Sequence, residues 1–164
     1  MDADVEISPA SPDEAERLLT GARETYATGL RTQRGLSAAE AEEAEEKAAR
    51  DVAAQLPDEA ATGGQHLLVA RRGAELLGGI WVAEQGPDRP GEAWIYHLWV
   101  QPAARRQGVG RALVDAAGAV VRQRGAHRLG LNVFGDNAGA IALYQALGFS
   151  VTAQQMTLPL TSDT

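Results

Sequence analysis

The stretch that decides the fold is VQPAARRQGVGRAL, residues Val100 to Leu113. It follows an apolar run, Ala93 to Val100, that is typical of a buried strand and is stopped by Pro102, which lacks the N–H that a ladder needs. Apolar residues then recur at helical spacing from Val109 to Val121. The order strand, basic glycine-containing turn, helix predicts an anion site, because backbone N–H groups lie at the positive end of a helix dipole. The alternative interpretation of a Gly-x-Gly helix start is tight packing.

Two motifs in this half of the chain resemble the signatures of the GNAT superfamily, the acyl-CoA-dependent N-acyltransferases. The cofactor loop of that family reads Gln or Arg, two residues, Gly, one residue, then Gly or Ala, and residues 105–110 (RRQGVG) meet it. The second signature is a helix that ends in Gly-Phe, and its residues here are Asn137, Ala140, Leu143, Tyr144, Gly148 and Phe149. The resemblance extends over Ile80 to Leu158 and is weak before that.

The resemblance implies a single α/β domain over residues 1–164, with a mixed and mostly antiparallel sheet of about seven strands and about four helices. Residues 1–60 would form helices on the substrate side. Residues 61–158 would form the sheet and the CoA-binding core.

The residues themselves predict these elements in order. Ser11 with Glu14, and Ser37 with Glu40, have the spacing of capping boxes and start two amphipathic helices. The residues that end helices are Gly35, Pro57, Gly125 and Gly148. The predicted strands are Val5 to Ile7, His66 to Ala70, Ala74 to Ala83, Ala93 to Val100, Leu129 to Phe134, Phe149 to Val151 and Gln154 to Leu158. The turn Pro87 to Gly91 separates two of them.

Composition limits the function classes. The chain has no Cys, which excludes disulfides, thiolate nucleophiles and Cys-ligated metal sites, and no other metal constellation is visible. No apolar run approaches the roughly 20 residues of a membrane span, and the acidic N-terminus has no apolar core of a signal peptide. These features predict a cytoplasmic protein without a membrane partner.

The net charge of −7 is unevenly distributed. Residues 1–60 hold 15 acidic and 6 basic side chains, a net of −9, and residues 61–164 hold 7 acidic and 9 basic ones, a net of +2. The basic part suits a polyanion such as CoA, whereas the acidic part suits a cationic acceptor or is a solvated helix face. This balance disfavours nucleic acid as a partner, and a homodimer is left open.

The resemblance assigns acetyl-CoA as the cosubstrate and gives the loop residues their roles. Main-chain N–H groups and arginine side chains would hold the pyrophosphate, and the residues concerned are Arg105, Arg106, Gln107, Gly108, Val109, Gly110 and Arg111. The pantetheine arm would enter a slot between Leu98–Val100 and Leu131–Val133, where Val100 would pair with its amides. Both strand segments are equally typical of a buried core.

Catalytic roles also come from the resemblance. The Leu98 N–H would stabilise the oxyanion, and Tyr144 would protonate the leaving CoA thiolate. Tyr144 is otherwise a core aromatic residue, and Asn137 either binds the pantetheine arm or only caps its helix.

A general base is less well defined. His97 on the central strand is the first candidate because the unperturbed pKa of histidine lies near working pH, although a structural histidine is the alternative. Other candidates, which would act through water, are Glu84, Glu92 and Tyr96. Three strand tryptophans are either walls of the acceptor pocket or core, and they are Trp81, Trp94 and Trp99. His66 and His127 have no partner visible in the sequence.

The resulting hypothesis is transfer of an acetyl group from acetyl-CoA to a primary amine by direct attack in a ternary complex, without an acyl-enzyme. A non-catalytic acyl-CoA-binding or interaction module is the alternative. A nucleotide-binding domain is a third, and it gives no role to Asn137 and Tyr144. The sequence does not name the acceptor.

Overall fold

The computed structural model describes residues 4–33, 36–56, 58, 62–87 and 89–160. Gly35, Pro57 and Asp88, which the sequence places at two helix ends and in a turn, lie outside them. Within the described residues the chain forms β1 (Glu6–Pro9), α1 (Pro12–Gln33), α2 (Ala38–Gln55), β2 (Gln65–Arg72), β3 (Glu75–Ala83), β4 (Glu92–Val100), α3 (Val109–Gln123), β5 (Arg128–Leu131) and α4 (Ala138–Ala146). None of these helices is both long enough and apolar enough to cross a membrane.

The sheet has the strand order β1-β2-β3-β4-β5. The first three pairs are antiparallel, and β4 and β5 are parallel because α3 crosses between them. The predicted class, a mixed and mostly antiparallel α/β sheet, is confirmed. The described residues contain five strands rather than about seven.

The missing strands are the last two that the sequence predicts. Residues 149–160 form neither helix nor strand, and β5 ends at Leu131 instead of Phe134. A strand is held by its ladder partners more than by intrinsic propensity. Pairing of β5 with β4 ends at Leu131, and residues 150–160 are exposed and pair with no described strand.

The sheet carries a hydrophobic core on each face. In β2, Leu67 and Val69 pack into the cluster formed with α1 and α2, whereas Leu68 and Ala70 pack into the larger cluster with α3. This alternation is the period of two expected of a strand buried on both faces. The acidic helices therefore cover one face, and the helix that follows the glycine loop covers the other.

Both predicted capping boxes are present. The Glu40 N–H donates to Ser37 Oγ at 3.3 Å, and the Ser37 N–H donates to the Glu40 carboxylate at 2.8 Å. Ser11 and Glu14 make the same reciprocal pair at 3.3 and 2.9 Å. These contacts satisfy the first N–H groups of α2 and α1 with the chain's own side chains.

Candidate active site

The central strand β4 bulges in its middle. Trp81 of β3 pairs with His97, but the next residue, Val82, pairs with Ile95, so Tyr96 is an extra residue on β4. The Tyr96 ring stacks on Trp81 with 4.7 Å between ring centroids. The neighbouring His97 reaches α1 on the same face, where its Nε2 lies 3.3 Å from the position that a Cβ on Gly21 would occupy. The bulge thus turns two consecutive side chains towards one face.

β4 and β5 stop pairing next to this bulge. Their last paired residues are Ile95 and Leu131, so the remainder of β4 has no β5 partner. The Gln101 N–H donates to the Leu77 carbonyl of β3 at 2.8 Å. Because N–H groups alternate between the two sides of a strand, Leu98 and Val100 present theirs away from β3. The backbone that the sequence assigns to the slot therefore faces the side where β5 has ended.

The loop after β4 has an unusual backbone. A 3₁₀ turn at Pro102–Ala104 is followed by Arg106 with a φ of 62° and Gly108 with a φ of 83°. A non-glycine residue in the left-handed region is uncommon and is found at functional sites. Two left-handed residues separated by Gln107 turn successive N–H groups towards one concave spot, an arrangement that binds anions.

The N-terminus of α3 is left open. Gly108 occupies the N-cap position and makes no side-chain capping bond, and the first turn of α3 contains no acidic residue. The first intrahelical N–H bond at this end runs from Ala112 to the Gly108 carbonyl at 3.0 Å. The donors before Ala112 are therefore available to a ligand, as at any helix start without a side-chain cap.

The two loop glycines serve different purposes. A Cβ on Gly108 would meet no atom within 4 Å, so this position borders open space and requires glycine for its positive φ. A Cβ on Gly110 would lie 3.0 Å from Leu143 of α4 and 3.7 Å from Val100. Gly110 is buried and lets α3 approach α4 and β4, so the tight-packing interpretation holds at that position.

Two side chains of the loop donate to backbone carbonyl groups, and two others are exposed to solvent. Arg105 Nε donates to the Val100 carbonyl at 3.2 Å, and Gln107 Nε2 donates to the Ala103 carbonyl at 3.0 Å. Arg106 and Arg111 are exposed. Arg105 therefore fastens the loop to the end of β4, and the guanidinium groups of Arg106 and Arg111 extend into solvent beside the open N–H groups.

The half-buried His97 and the buried Tyr144 have strongly shifted pKa values. Burial lowers the pKa of His97 to about 4, which keeps the imidazole neutral at pH 7 but makes it a weak base. Burial raises the pKa of Tyr144 to about 12. The Tyr144 ring is 8% exposed and packs edge-on against Phe149 at 5.5 Å. Tyr144 thus packs in the core, and its phenol stays protonated at every physiological pH.

Asn137 caps α4. Its Oδ1 accepts the Ala140 N–H at 3.2 Å, and Gly148 ends the helix with a φ of 100°. Asn137 therefore caps its helix, and its Nδ2 donors are not used by that bond.

A family comparison agrees with this arrangement. The model of the Acetyltransferase (GNAT) family matches residues 31–149, more than half of the chain. The chain belongs to the GNAT acetyltransferase family. The match extends further towards the N-terminus than the two sequence motifs do, and it ends at Phe149.

Individual relatives of this GNAT chain match over shorter stretches. The mycothiol acetyltransferase of Beutenbergia cavernae is 47% identical over 79 residues, which are 48% of this chain and 25% of that protein. The [ribosomal protein bS18]-alanine N-acetyltransferase of Escherichia coli is 44% identical over 59 residues, which are 36% of this chain and 40% of that protein. The chain thus matches less than half the length of these curated relatives.

The fold of the GNAT chain is shared over its whole length by the Bacillus subtilis protein YycN. The two superpose with a TM-score of 0.81 at 24% identity, over 97% of this chain and 100% of YycN. At this identity the likeness establishes the fold alone.

Two of the alternative general bases, Glu84 and Glu92, lie away from the open end of the GNAT sheet, whereas Tyr96 lies at the bulge beside His97. Glu92 is at the start of β4, six residues or about 20 Å along the strand from Leu98. Glu84 follows β3 at the same end, where its Oε1 lies 2.9 Å from His66 Nε2 and 3.7 Å from Arg124 Nε. His66 therefore has a partner that the sequence did not show. The described residues contain no group of His, Asp and Glu that could hold a metal ion.

Two features beside the site are not predicted by the sequence. Arg72, at the end of β2, reaches Gln107 Oε1 with both guanidinium nitrogens at 3.4 Å and adds a cation to the loop. The Phe134 ring lies against Gly29 of α1, so closely that a Cβ there would be 2.1 Å from the ring. The partners of Arg72 and Gly29 are distant in the chain, so no local pattern indicates either contact.

Proposed function

We propose that this chain transfers the acetyl group of acetyl-CoA to a primary amine by direct attack in a ternary complex. One observation carries the proposal. The open start of α3 lies directly after the segment of β4 that has lost its β5 partner. An anion site and an unpaired strand edge in succession suit a ligand with a pyrophosphate at one end and an amide-containing arm at the other. The expectation of a cytoplasmic protein stays a prediction.

The loop supplies the groups that would hold the pyrophosphate. The N–H groups of Gln107 to Arg111 would donate to its oxygens, and Arg106 and Arg111 would add charge from solvent. Gly108 leaves the space that a phosphate needs to approach the backbone. Arg105 and Arg72 would hold the loop in shape through Val100 and Gln107. Val100 would offer its N–H to the pantetheine arm, and the free Nδ2 of Asn137 is a second donor for that arm.

The proposed reaction uses the backbone of β4 and the phenol of α4. The amine nitrogen attacks the acetyl carbonyl carbon and forms the new C–N bond, while the carbonyl oxygen gains the negative charge. The Leu98 N–H, which faces away from β3, would donate to that oxygen. The C–S bond then breaks, and Tyr144 would give its phenolic proton to the sulfur. Tyr144 is protonated at pH 7, but its pKa of about 12 lies above the roughly 8.5 of a free thiol, so this proton transfer is uphill. The phenolate left behind would regain a proton from solvent, which restores the enzyme.

The low pKa of His97 limits its role in removing the proton from the amine. A base with a pKa of about 4 cannot deprotonate a free ammonium group near pKa 8 to 10. It would accept a proton only after attack, when the bond to the acyl carbon has made the nitrogen a weaker base. We therefore propose that the acceptor binds as the neutral amine and that His97 acts only after attack. The pH dependence of kcat/KM would then follow the pKa of the acceptor.

The acceptor side of the site is acidic. A shallow depression of about 480 Å³ on α1 has three acidic and one basic lining residues, and its lining is Asp13, Glu16, Arg17, Thr20, Gly21 and Glu24. His97 lies behind Gly21. These carboxylates would attract a cationic acceptor. The relatives named above are enzymes for mycothiol and for an alanine of ribosomal protein bS18. Small amines and peptide N-termini are therefore the first two acceptor classes to examine.

Release of free CoA tests the proposal. Because the chain contains no Cys, a thiol reagent reports CoA without a background from the protein. The purified chain is incubated with acetyl-CoA and panels of small amines, peptides with free N-termini and lysine peptides. Amine-dependent thiol release at a rate that Tyr144→Phe lowers is the expected result. Tight acetyl-CoA binding without release for any acceptor class would favour the non-catalytic module instead.

A further inference from the structure

Helix α1 crosses the strands of the sheet in their order. Near its start, the Leu18 side chain lies at Gly79 of β3. Further along, Gly21 faces His97 of β4, whose Nε2 is 3.3 Å from the position that a Cβ on this glycine would occupy. Near its end, α1 reaches the segment that follows β5. The helix therefore spans the place at which β4 and β5 stop pairing.

The segment after β5 is fastened to α1 by one aromatic ring. Every residue from 132 to 139 is exposed except Phe134, whose ring lies against Gly29 so closely that a Cβ there would overlap it. The Tyr26 ring lies beside it, with 6.3 Å between the ring centroids. Glycine inside a helix is less stable than alanine, so the presence of Gly29 is explained by the space that it gives to Phe134.

Between these two contacts the face of α1 is open. Gly21, Thr25 and Gly29 follow one another at intervals of four residues and lie on one face of the helix. Gly21 faces His97 and Gly29 faces Phe134, yet Thr25 between them is exposed. The sheet is unpaired at this point, since pairing of β4 with β5 has already ended. An opening framed by α1, His97 and Phe134 therefore leads to the unpaired edge of β4.

We propose that the acceptor amine reaches the acetyl group through this opening, and that Phe134 seated at Gly29 limits its width. The inference rests on the proposed function, which places the acetyl carbonyl at the Leu98 N–H on the same unpaired edge. Gly21 and Gly29 are eight residues apart, which is about 12 Å along the helix axis. A contact distance of about 3.5–4 Å on each side leaves roughly 4–5 Å, which is close to the spacing of neighbouring extended chains.

An opening of this width admits one extended chain. An amine at the end of an unbranched carbon chain, or the N-terminus of a peptide that begins with a small residue, would pass between His97 and Phe134. An amine on a ring, or one beside a bulky side chain, would meet the Phe134 ring. In this proposal Phe134 determines specificity by its bulk and takes no part in the transfer of the acetyl group.

Thiol labelling measures the opening without any acceptor. The chain has no Cys, so Thr25→Cys introduces a single thiol between the two contacts. Arg23→Cys is the matched control, because residue 23 is exposed on nearly the opposite face of α1. Iodoacetamide, which is small, should label both variants at similar rates. A maleimide coupled to fluorescein should label Thr25→Cys several-fold more slowly than Arg23→Cys, and adding Phe134→Ala should remove this difference.

Acceptor selectivity tests the same width through activity. At saturating acetyl-CoA, kcat/KM should be higher for hexylamine than for cyclohexylamine, and higher for a peptide that begins with alanine than for one that begins with valine, by on the order of 10–10²-fold. Phe134→Ala should bring both ratios towards one. Phe134→Leu should give intermediate ratios and serves as the second variant if Phe134→Ala does not fold. Asp136→Ala, an exposed change in the same segment, should keep the wild-type ratios.

The failures of the two proposals are distinguishable. An active wild type with equal kcat/KM for slender and bulky amines, or with ratios that Phe134→Ala leaves unchanged, would overturn the size limit alone. Equal labelling of Thr25→Cys and Arg23→Cys by the fluorescein maleimide would overturn it without any measurement of activity. A wild type that binds acetyl-CoA and acetylates no amine would overturn the proposed function, and the size limit would fall with it.

Discussion

The helices α2 and α3 begin in opposite ways. At the start of α2, Ser37 and Glu40 bond to each other's backbone N–H groups, and an acidic side chain lies at the positive end of the helix. At the start of α3, Gly108 has no side chain to offer, the first turn has no acidic residue, and Arg105, Arg106 and Arg111 are nearby. α1 and α4 follow the pattern of α2, with Ser11 and Asn137 as caps.

The capped start of α2 stabilises the fold, whereas the uncapped start of α3 leaves N–H groups that a ligand can bind. A side-chain cap stabilises a protein by about 1 kcal/mol, and α3 forgoes it. The donors that a cap would occupy are left at a positive end that is surrounded by further positive charge. Such an end is favourable only when an anion completes it, and in this account the anion is the pyrophosphate of acetyl-CoA.

An acidic side chain at the start of α3 should produce the largest effect, which is a loss of acetyl-CoA affinity. Gly108→Asp adds a carboxylate at the start of α3, on a left-handed backbone that Asp tolerates better than most residues. Acetyl-CoA affinity measured by calorimetry should fall by on the order of 10²–10³-fold, or about 3–4 kcal/mol, because the carboxylate takes space beside the N–H groups and repels the phosphates. Gly108→Asn, with the same shape and no charge, should lose about tenfold or less. Equal losses in both variants would mean that shape, not charge, decides binding.

The contributions of Glu40 and His97 to the free energy of unfolding should respond differently to acid. The pKa of Glu40 is lowered because the Ser37 backbone N–H bonds its charged form, whereas the pKa of His97 is lowered because burial disfavours its charged form. The unfolded chain protonates His97 near pH 6.5 and the folded chain only near 4, so the free energy of unfolding falls as pH drops through this window, by up to about 3 kcal/mol.

His97→Gln should remove that part of the pH dependence. Urea unfolding at pH 7 and at pH 4.5 measures it, and Ser37→Ala is the control, because the Glu40 contribution is present above pH 4.5 and is lost only as the pH falls further. An unchanged pH dependence in His97→Gln would show that this imidazole is solvated in solution.

Removal of the Tyr144 hydroxyl on α4 should slow the chemical step without changing acetyl-CoA binding. Tyr144→Phe keeps the ring that packs on Phe149 and removes only the hydroxyl. We expect kcat to fall roughly 10²-fold, about 2.7 kcal/mol, with little change in the acetyl-CoA Kd. With a pKa of about 12, the phenol should cause no alkaline loss of kcat below about pH 11. Wild-type turnover in the Phe variant, with chemistry rate-limiting, would return Tyr144 to a purely structural role.

Removing a cap from α2 should be the smallest effect. Ser37→Ala takes away the acceptor for the Glu40 N–H and should cost about 1 kcal/mol of unfolding free energy. Acetyl-CoA affinity should stay at the wild-type value, because α2 takes no part in the proposed binding loop. A loss of affinity as large as that in Gly108→Asn would show that the two helix ends are coupled.

The features that could be predicted from the sequence are local ones. The capping pairs, the glycine loop and the Asn137 helix depend on residues within a few positions of one another, and all of them lie where the sequence places them. The predicted last strands did not form in the single chain, since a strand needs a partner that local pattern does not provide.

The remaining features depend on pairings between distant residues. The bulge at Tyr96 follows from the register of β3 against β4, and Arg72 reaches a loop residue 35 positions away. The low pKa of His97 arises from burial at α1, where Gly21 leaves room for the ring. Composition and spacing do not indicate such contacts, so a pKa near working pH is predicted for His97 from its residue type, whereas the fold lowers that pKa to about 4.

The amide N–H signals of the two helix starts give the most direct test of this account. In a ¹⁵N-edited NMR titration with acetyl-CoA, the signals of Gln107 to Arg111 should shift and saturate with the Kd found by calorimetry. The first-turn signals of α2, from Ala38 to Glu40, should not move. Saturable binding of acetyl-CoA that leaves the Gln107 to Arg111 signals in place would contradict the claim that α3 is held open for the pyrophosphate.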